Sequence, residues 1–333
     1  MDSRTKRPLT LAQLDALARR ALGVGLSSGT ESVTELTGGF ANAVWRLTLL
    51  DGREVVMKLA PPPELEQLRY ERNLLRTEAT VYGLAAQAGI PVPELLRAGF
   101  DDPVLGGDYL VLSVLDGVPW SRAKPAEADR RALRRELGGH LARLHAITGD
   151  VYGYPYAGLT GSTWREAFLV MTDAILADAG RYATPLPRPV SEIAAAIEAG
   201  ASALEEVVTP CLVHFDLGSG NVFLTRDETP RIQAIIDHER AFWGDPLADF
   251  VVPTIFGELE ESDPIVAGYR DAGGVVEFTG PARTRMVLYR LYLALMILIE
   301  NGPRRYPEKE YAPLRDRCAA DVLEALDKLS ATP

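Results

Sequence analysis

Apolar residues at Leu11, Leu14, Leu17, Ala18 and Ala21 recur at helical spacing and predict an amphipathic helix over 10–22, with Thr10 as N-cap and Gly23 as stop. Three strand-like runs follow at 32–36, 43–50 and 53–59. Asp51-Gly52 joins the second to the third and is a strong hairpin signal. Residues 61–63, all proline, break regular structure. The pattern over 65–88 then predicts a long helix that ends at Gly89, with Pro91 and Pro93 beyond it. Two more strands are predicted at 92–98 and 109–115. The first 115 residues therefore read as an antiparallel sheet with one long helix inserted.

Past Asp116-Gly117 the periodicity becomes helical. Leu133, Leu137, Leu141 and Leu144 line one face of a helix over 127–147, and further helices are predicted at 163–179, 191–208, 282–300 and 313–329. A β-like island of three short runs, 211–214, 222–224 and 232–236, interrupts them. The shift near 116 divides the chain into units 1–115 and 116–333, an α+β organisation.

Composition narrows the function classes. The 333 residues carry 46 acidic and 35 basic side chains, net −11, so the basic footprint of a nucleic-acid binder is missing. Two cysteines, Cys211 and Cys318, exclude a disulfide scaffold or a cysteine-rich zinc module. The longest apolar stretch, 286–299, contains Arg290 and is too short to span a bilayer. The N-terminal residues lack the apolar core of a signal peptide. A reducing cytoplasm and no membrane partner are the expectation.

Some short motifs fail on context. Gly25-Leu26-Ser27-Ser28-Gly29 has the spacing of a nucleophile elbow, but a helix precedes it where a strand is required. No Gly-Lys dipeptide exists, so there is no Walker A loop. His140 and His145 fall within the 127–147 helix and make no zinc pair.

The segment 212–224 differs. Two apolar runs flank a polar loop holding His214, Asp216 and Asn221, and the next apolar run ends in Asp237. Strand–loop–strand followed by a strand ending in Asp brings Asp216, Asn221 and Asp237 towards one point. Two carboxylates and an amide oxygen suit Mg2+ whose other positions hold water and phosphate oxygens. Asp216 is then placed as general base for an incoming hydroxyl, with Asn221 and Asp237 on the metal. Taken singly, these are ordinary turn residues. The spaced set, with Lys58 and Glu78 upstream, is what carries the phosphoryl-transfer reading.

His214-x-Asp216-x-x-x-x-Asn221 followed by Ile235-Ile236-Asp237 and Gly244-Asp245-Pro246-Leu247-Ala248-Asp249-Phe250 resembles the catalytic core of the aminoglycoside phosphotransferase family, which has the protein-kinase-like bilobal fold. The departures are His238 where tryptophan is frequent, Phe250 for leucine, and Phe215 for the usual glycine, which would reshape an acceptor mouth. The resemblance extends over residues 30–300. It implies a β-rich N-lobe that binds nucleotide and a helical C-lobe with the catalytic loop and acceptor-binding helices. Lys58, in Val55-Val56-Met57-Lys58, matches the phosphate-pairing lysine, and Glu78 its helix partner, in preference to Glu71. Gly38, Gly39 and Asn42 match the nucleotide-covering turn, and Ser113 and Leu115 the strand end and hinge beside the purine. His214 and Asp249 read as braces of the loop.

The resemblance implies Mg2+-dependent transfer of the γ-phosphate of ATP or GTP to a hydroxyl of a small molecule. An antibiotic is the family default, an aminoglycoside or a sugar-bearing nucleoside type, with resistance as the outcome. A metabolic kinase for choline, homoserine or a sugar is the alternative, and a non-catalytic kinase-like binding module a third reading. No activation segment with an Ala-Pro-Glu anchor follows Asp237, which argues against a peptide acceptor. Glu300, Tyr289 and Arg304, on or after the 282–300 helix, are the candidates for touching the acceptor. An acidic run, Glu258, Glu260, Glu261 and Asp263, is a candidate steering field for a cationic acceptor or else a solvated loop.

Overall fold

The computed structural model describes residues 9–28, 32–36, 42–62, 64–103, 105–254 and 257–331. Helix α1 (Leu11–Leu22) begins at Thr10, whose hydroxyl accepts from the Gln13 amide, and closes at Gly23 with φ 75°. Its Leu14, Leu17 and Ala18 pack on Trp45, Leu47 and Met57. Those residues belong to a five-stranded antiparallel sheet. The sheet consists of β1 (Val33–Glu35), β2 (Ala43–Thr48), β3 (Glu54–Leu59), β4 (Leu95–Asp102) and β5 (Gly107–Ser113), in the order β1-β2-β3-β5-β4. Register pairs Lys58 of β3 with Val44 on one side and Leu110 on the other, so the lysine sits mid-sheet.

Helix α2 (Leu74–Gln87) lies between β3 and β4 in sequence and is shorter than the pattern predicts. Asn73 takes the left-handed region at φ 59°, and a single 3-10 turn, Arg69–Glu71, precedes it. That break separates Glu71 from Glu78, which no longer share a helix face.

β5 ends at Ser113, and β6 (Val118–Pro119) already pairs with a strand of the second half, so the chain crosses between sheets over 114–117. There follow α3 (Trp120–Ala123), α4 (Glu127–His145), β7 (Tyr152–Tyr154), β8 (Leu159–Gly161), α5 (Trp164–Arg181) and α6 (Val190–Gly200). The predicted helix over 191–208 ends early, and Ala201–Glu206 continues as a 3-10 turn. The β island is β9 (Cys211–Val213), β10 (Val222–Leu224), β11 (Ile232–Ile235) and β12 (Phe242–Gly244). These short strands form two sheets, ordered β11-β10-β6 and β8-β7-β12-β9. Helices α7 (Pro264–Asp271), α8 (Gly280–Arg304) and α9 (Glu308–Ser330) complete the molecule.

Helix α7 is hidden in sequence by the acidic run before it. Asp263 is its N-cap, accepting from the Ile265 amide, and Pro264 is its first residue. It crosses α4 at backbone contact. A β-carbon on Gly268 would lie 1.8 Å from Arg135 O, and one on Gly138 2.0 Å from Ile265 O. This crossing sets Tyr269 of α7 against His145 of α4, with ring centroids 5.4 Å apart. Among the described residues, no helix is long and apolar enough to cross a membrane.

Gly268→Ala forces the α4–α7 crossing apart and is expected to cost roughly 2–3 kcal/mol, read as a fall in Tm. Gly139→Ala is the control: its β-carbon meets nothing closer than 3.9 Å, so Tm should hold or rise.

Candidate active site

The loop between β9 and β10 is held from below by Asp249. Its Oδ1 accepts from the Phe215 amide at 2.6 Å, and its Oδ2 from the His214 amide at 2.8 Å. Oδ2 also accepts from His145 Nε2 at 3.0 Å, and His145 Nδ1 pairs with the Tyr269 hydroxyl at 2.9 Å. His214 spans the loop itself. Its Nδ1 accepts from the Asp216 amide at 3.1 Å, and its Nε2 donates to Ile236 O at 3.0 Å. Acceptance at Nδ1 requires the neutral ring, and burial holds this imidazole below its usual pKa despite the nearby Asp249 charge. Phe215 takes φ 60°, a conformation that costs a non-glycine residue about 1–2 kcal/mol. Its fully buried ring packs on Phe242 at 5.2 Å and Tyr292 at 5.8 Å. It is therefore a core residue and shapes no acceptor mouth.

With the loop so fixed, Asp216 presents a carboxyl that is 27% exposed. The Asn221 amide donates to Asp216 O at 2.8 Å. Burial pushes the Asp216 carboxyl up to about 7; Arg240 opposes the rise, while the charges of Asp237, Glu300 and Glu239 add to it. Gly218 and Gly220 leave the surface beside Asp216 open. A β-carbon on Gly218 would meet only Val252 Cγ1, at 4.0 Å, and one on Gly220 nothing.

Opposite this loop, the Lys58 ammonium lies among three carboxylates: Asp237 Oδ1 at 2.5 Å, Glu78 Oε2 at 2.8 Å and Glu239 Oε2 at 2.8 Å. Lys58 comes from the sheet, Glu78 from α2, and Asp237 and Glu239 from the turn after β11. Burial works against the lysine's charge, but Asp237, Glu239 and Glu78 outweigh it and hold its pKa well above the usual range. Burial also raises Glu78, to about 7, with Lys58 countering. For Asp237 burial raises and Lys58 lowers, and the lysine prevails. The Tyr82 hydroxyl ties the set together, donating to Glu78 Oε1 at 3.0 Å and accepting from the Asp237 amide at 3.3 Å. The Asn42 amide donates to the Glu239 carboxylate. One ammonium facing three carboxylates leaves negative charge uncompensated. Glu78, Asp237 and Glu239 each bring an oxygen within 4.8 Å of the others, a donor set that suits a hard divalent cation.

The other predicted positions are distributed as follows. Gly38 and Gly39 lie outside the described residues. Ser113 accepts from the Glu94 amide through its hydroxyl at 2.9 Å, and Leu115 is half-buried in the crossing segment. His238 packs its ring on His214, with centroids 4.5 Å apart, and on the edge of Tyr82 at 5.1 Å.

The three acceptor candidates are corrected. Tyr289 is 1% exposed; its hydroxyl donates to Asp245 at 2.7 Å and accepts from Trp164 Nε1 at 2.7 Å. Glu300 is buried between Arg240 and Arg304, at 2.6 Å from each, and accepts from the Tyr70 hydroxyl. Arg304 is consumed by Glu300 and Glu71. All three are buried, and their polar atoms are taken up by protein partners. The residue missed in sequence is Arg240. It pairs with Glu300 and lies 3.8 Å from Asp216 Oδ2, and in the sequence it is one of four consecutive polar residues, 237–240, with nothing to set it apart. Within the acidic run, Asp263 pairs with Arg134 at 2.6 Å, Glu261 with Arg270 at 2.8 Å and Glu258 with Lys328 at 2.7 Å, while the exposed Glu260 accepts from the Ser262 hydroxyl at 3.2 Å.

A sheet that buries a lysine–glutamate pair, set over helices whose loops turn carboxylates towards that pair, is the construction of a kinase-like phosphotransferase. A model described as the phosphotransferase enzyme family matches residues 32–287, and the chain belongs to that family. A mouse protein, acyl-CoA dehydrogenase family member 10, is 22% identical over 255 residues, 74% of this chain; the chain spans only 22% of that protein's length. Among solved structures, a thermostable mutant of aminoglycoside phosphotransferase APH(4)-Ia matches with TM-score 0.62 and 18% identity, covering 96% of this chain and all (100%) of that one. The macrolide 2'-phosphotransferase MphH of Brachybacterium faecium matches with TM-score 0.56 and 18% identity, covering 95% and 98%. These likenesses share the α+β kinase-like fold.

The raised Asp216 carboxyl has a stability consequence. The folded state holds this proton up to about pH 7 and the unfolded chain releases it near 3.8, so the contribution is present below pH 4 and lost as pH rises to 7. Asp216→Asn is therefore expected to be more stable than the parent at pH 8, by roughly 1–3 kcal/mol, with the gain disappearing towards pH 4. Thermal denaturation of both proteins across that range measures it.

Proposed function

We propose that the protein transfers the γ-phosphoryl group of ATP to a hydroxyl of a small molecule. The observation that supports this most strongly is the Lys58–Glu78 pair brought against Asp237 at the foot of the loop bearing Asp216. Lys58 orients the nucleotide phosphates, and Glu78 keeps it aimed. Asp216, beside an open loop surface, takes the proton of the attacking hydroxyl. Arg240, held by Glu300, places positive charge beside that carboxylate. Asp237, Asn221 and Glu239 would hold Mg2+, which when bound neutralises charge on the phosphates. Asn42 ties the start of β2 to Glu239, near the nucleotide-covering turn. The lobe boundary falls at about 115, in the crossing segment, with Ser113 and Leu115 at the purine edge.

ATP as donor draws on relatives of the same fold: APH(4)-Ia is solved with AMP-PNP and hygromycin B, and APH(2'')-Ib with ADP. GTP as donor and an antibiotic acceptor, with resistance as the outcome, rest on the family resemblance. Metabolic acceptors stand beside them, and an acceptor screen read by nucleoside diphosphate release separates the classes. Free Cys211 and Cys318 fit a reducing, cytoplasmic setting.

Asp216→Ala is expected to lower turnover roughly 10²–10⁴-fold while calorimetric nucleotide affinity stays near the parent value. A fully active variant contradicts the base assignment. Asp237→Asn is expected to weaken Mg2+-nucleotide binding together with turnover, because a charged ligand is removed. Unchanged binding would remove Asp237 from the metal set and leave Glu239 as its charged ligand.

A further inference from the structure

The two faces of the five-stranded sheet carry different residues. Ala43, Trp45, Leu47, Met57 and Leu59 pack towards α1. Alternation along β2 and β3 turns Val44 and Lys58 to the other face, where they stand opposite each other in the ladder. That face meets α2, since Leu110, the other neighbour of Lys58, clusters with Leu75 and Tyr82.

Asn42 directly precedes β2, and its side chain reaches the side that carries Lys58. It is 4% exposed, and its amide donates to Glu239 Oε2, the same oxygen that faces the Lys58 ammonium at 2.8 Å. Glu239 is buried too, in the 3-10 turn His238–Arg240. Among the described residues, the partners of its carboxylate are Lys58 and Asn42. The two are not equivalent. Lys58 is shared with Asp237 and Glu78, and an arriving polyphosphate draws the ammonium towards itself. Asn42 is uncharged and stays on Glu239 when the lysine turns to phosphate. A carboxylate held in this way keeps its orientation towards a cation, and losing such a partner costs a metal site roughly 10–100-fold in affinity.

We propose that Asn42 is a positioning residue of the metal set: it fixes Glu239 for Mg2+ and makes no bond to the nucleotide. This rests on the phosphotransfer reading, in which Asp237, Asn221 and Glu239 hold the cation. It separates Asn42 in role from the nucleotide-covering turn that it adjoins.

The test is calorimetric titration of ADP into the full chain, in EDTA and in saturating Mg2+. The ratio of the two affinities is the readout, and a purely structural role would not move it. Asn42→Ala is expected to bind ADP as the parent does in EDTA and to lose roughly tenfold of the gain that Mg2+ brings. Asn42→Ser, which also lacks the amide, should behave alike, and Tm confirms that each variant is folded. Glu239→Gln should lose the gain as well, and the double variant should lose no more than Glu239→Gln alone, because the two side chains act as one unit. An equal loss of ADP affinity in EDTA and in Mg2+ makes Asn42 a nucleotide contact and overturns the proposal, with the phosphotransfer reading left standing. An unchanged ratio in both Asn42 variants, or losses that add in the double variant, overturns it likewise. A parent whose ADP affinity does not respond to Mg2+ overturns the metal set itself, and the proposal with it.

Discussion

One buried ammonium facing three carboxylates is the constraint around which the molecule is arranged. Lys58 can enter the interior of a sheet only with partners, because an unpaired buried charge is prohibitively costly. Its partners come from two places, Glu78 on α2 and Asp237 and Glu239 in the turn after β11, and Asn42 at the start of β2 holds Glu239 in turn. Satisfying the lysine therefore fastens the five-stranded sheet to the helical half. The arrangement also leaves an excess of negative charge, which a divalent cation arriving with a polyphosphate would neutralise. Stability and the proposed nucleotide binding thus draw on the same four side chains.

A second network holds the loop that faces the cluster. Asp249 accepts from two successive backbone amides and from His145, and His145 is held by Tyr269 on α7. Tyr269 can stand there only because α4 and α7 touch through Gly138 and Gly268. The left-handed Phe215 is tolerated in this loop because its ring fills the aromatic core against Phe242 and Tyr292. A third network, Tyr70, Glu71, Arg240, Glu300 and Arg304, joins the 3-10 turn before α2 to α8 and ends beside Asp216.

The parts of the site nearest in sequence were legible, and those closed by packing were not. Asp216, Asn221 and Asp237 declared themselves through polar residues at fixed offsets between apolar strands. Lys58 did so as a charge bracketed by Val55, Val56, Met57 and Leu59. Choosing Glu78 over Glu71 depended on neighbouring residues, and the structural reason is a single left-handed Asn73 that no periodicity reveals. The burial of Glu300, Tyr289 and Arg304 was not legible, because an inward polar residue and a ligand-facing one look alike on a helix until their partners are known. Arg240 escaped as one of four consecutive polar residues. Asp263 was counted as one of an acidic run, whereas its chemistry is that of a helix cap with Pro264 after it.

The central claim is that the carboxylates around Lys58 await a cation delivered with the nucleotide. Calorimetric titration of ATP into the metal-free protein, with and without Mg2+, tests it most directly. Without the cation, the triphosphate meets uncompensated carboxylate charge and should bind weakly; with Mg2+, affinity should rise at least about tenfold, a difference of roughly 1.4 kcal/mol. Equal affinity under both conditions, or tighter binding without Mg2+, would contradict the account.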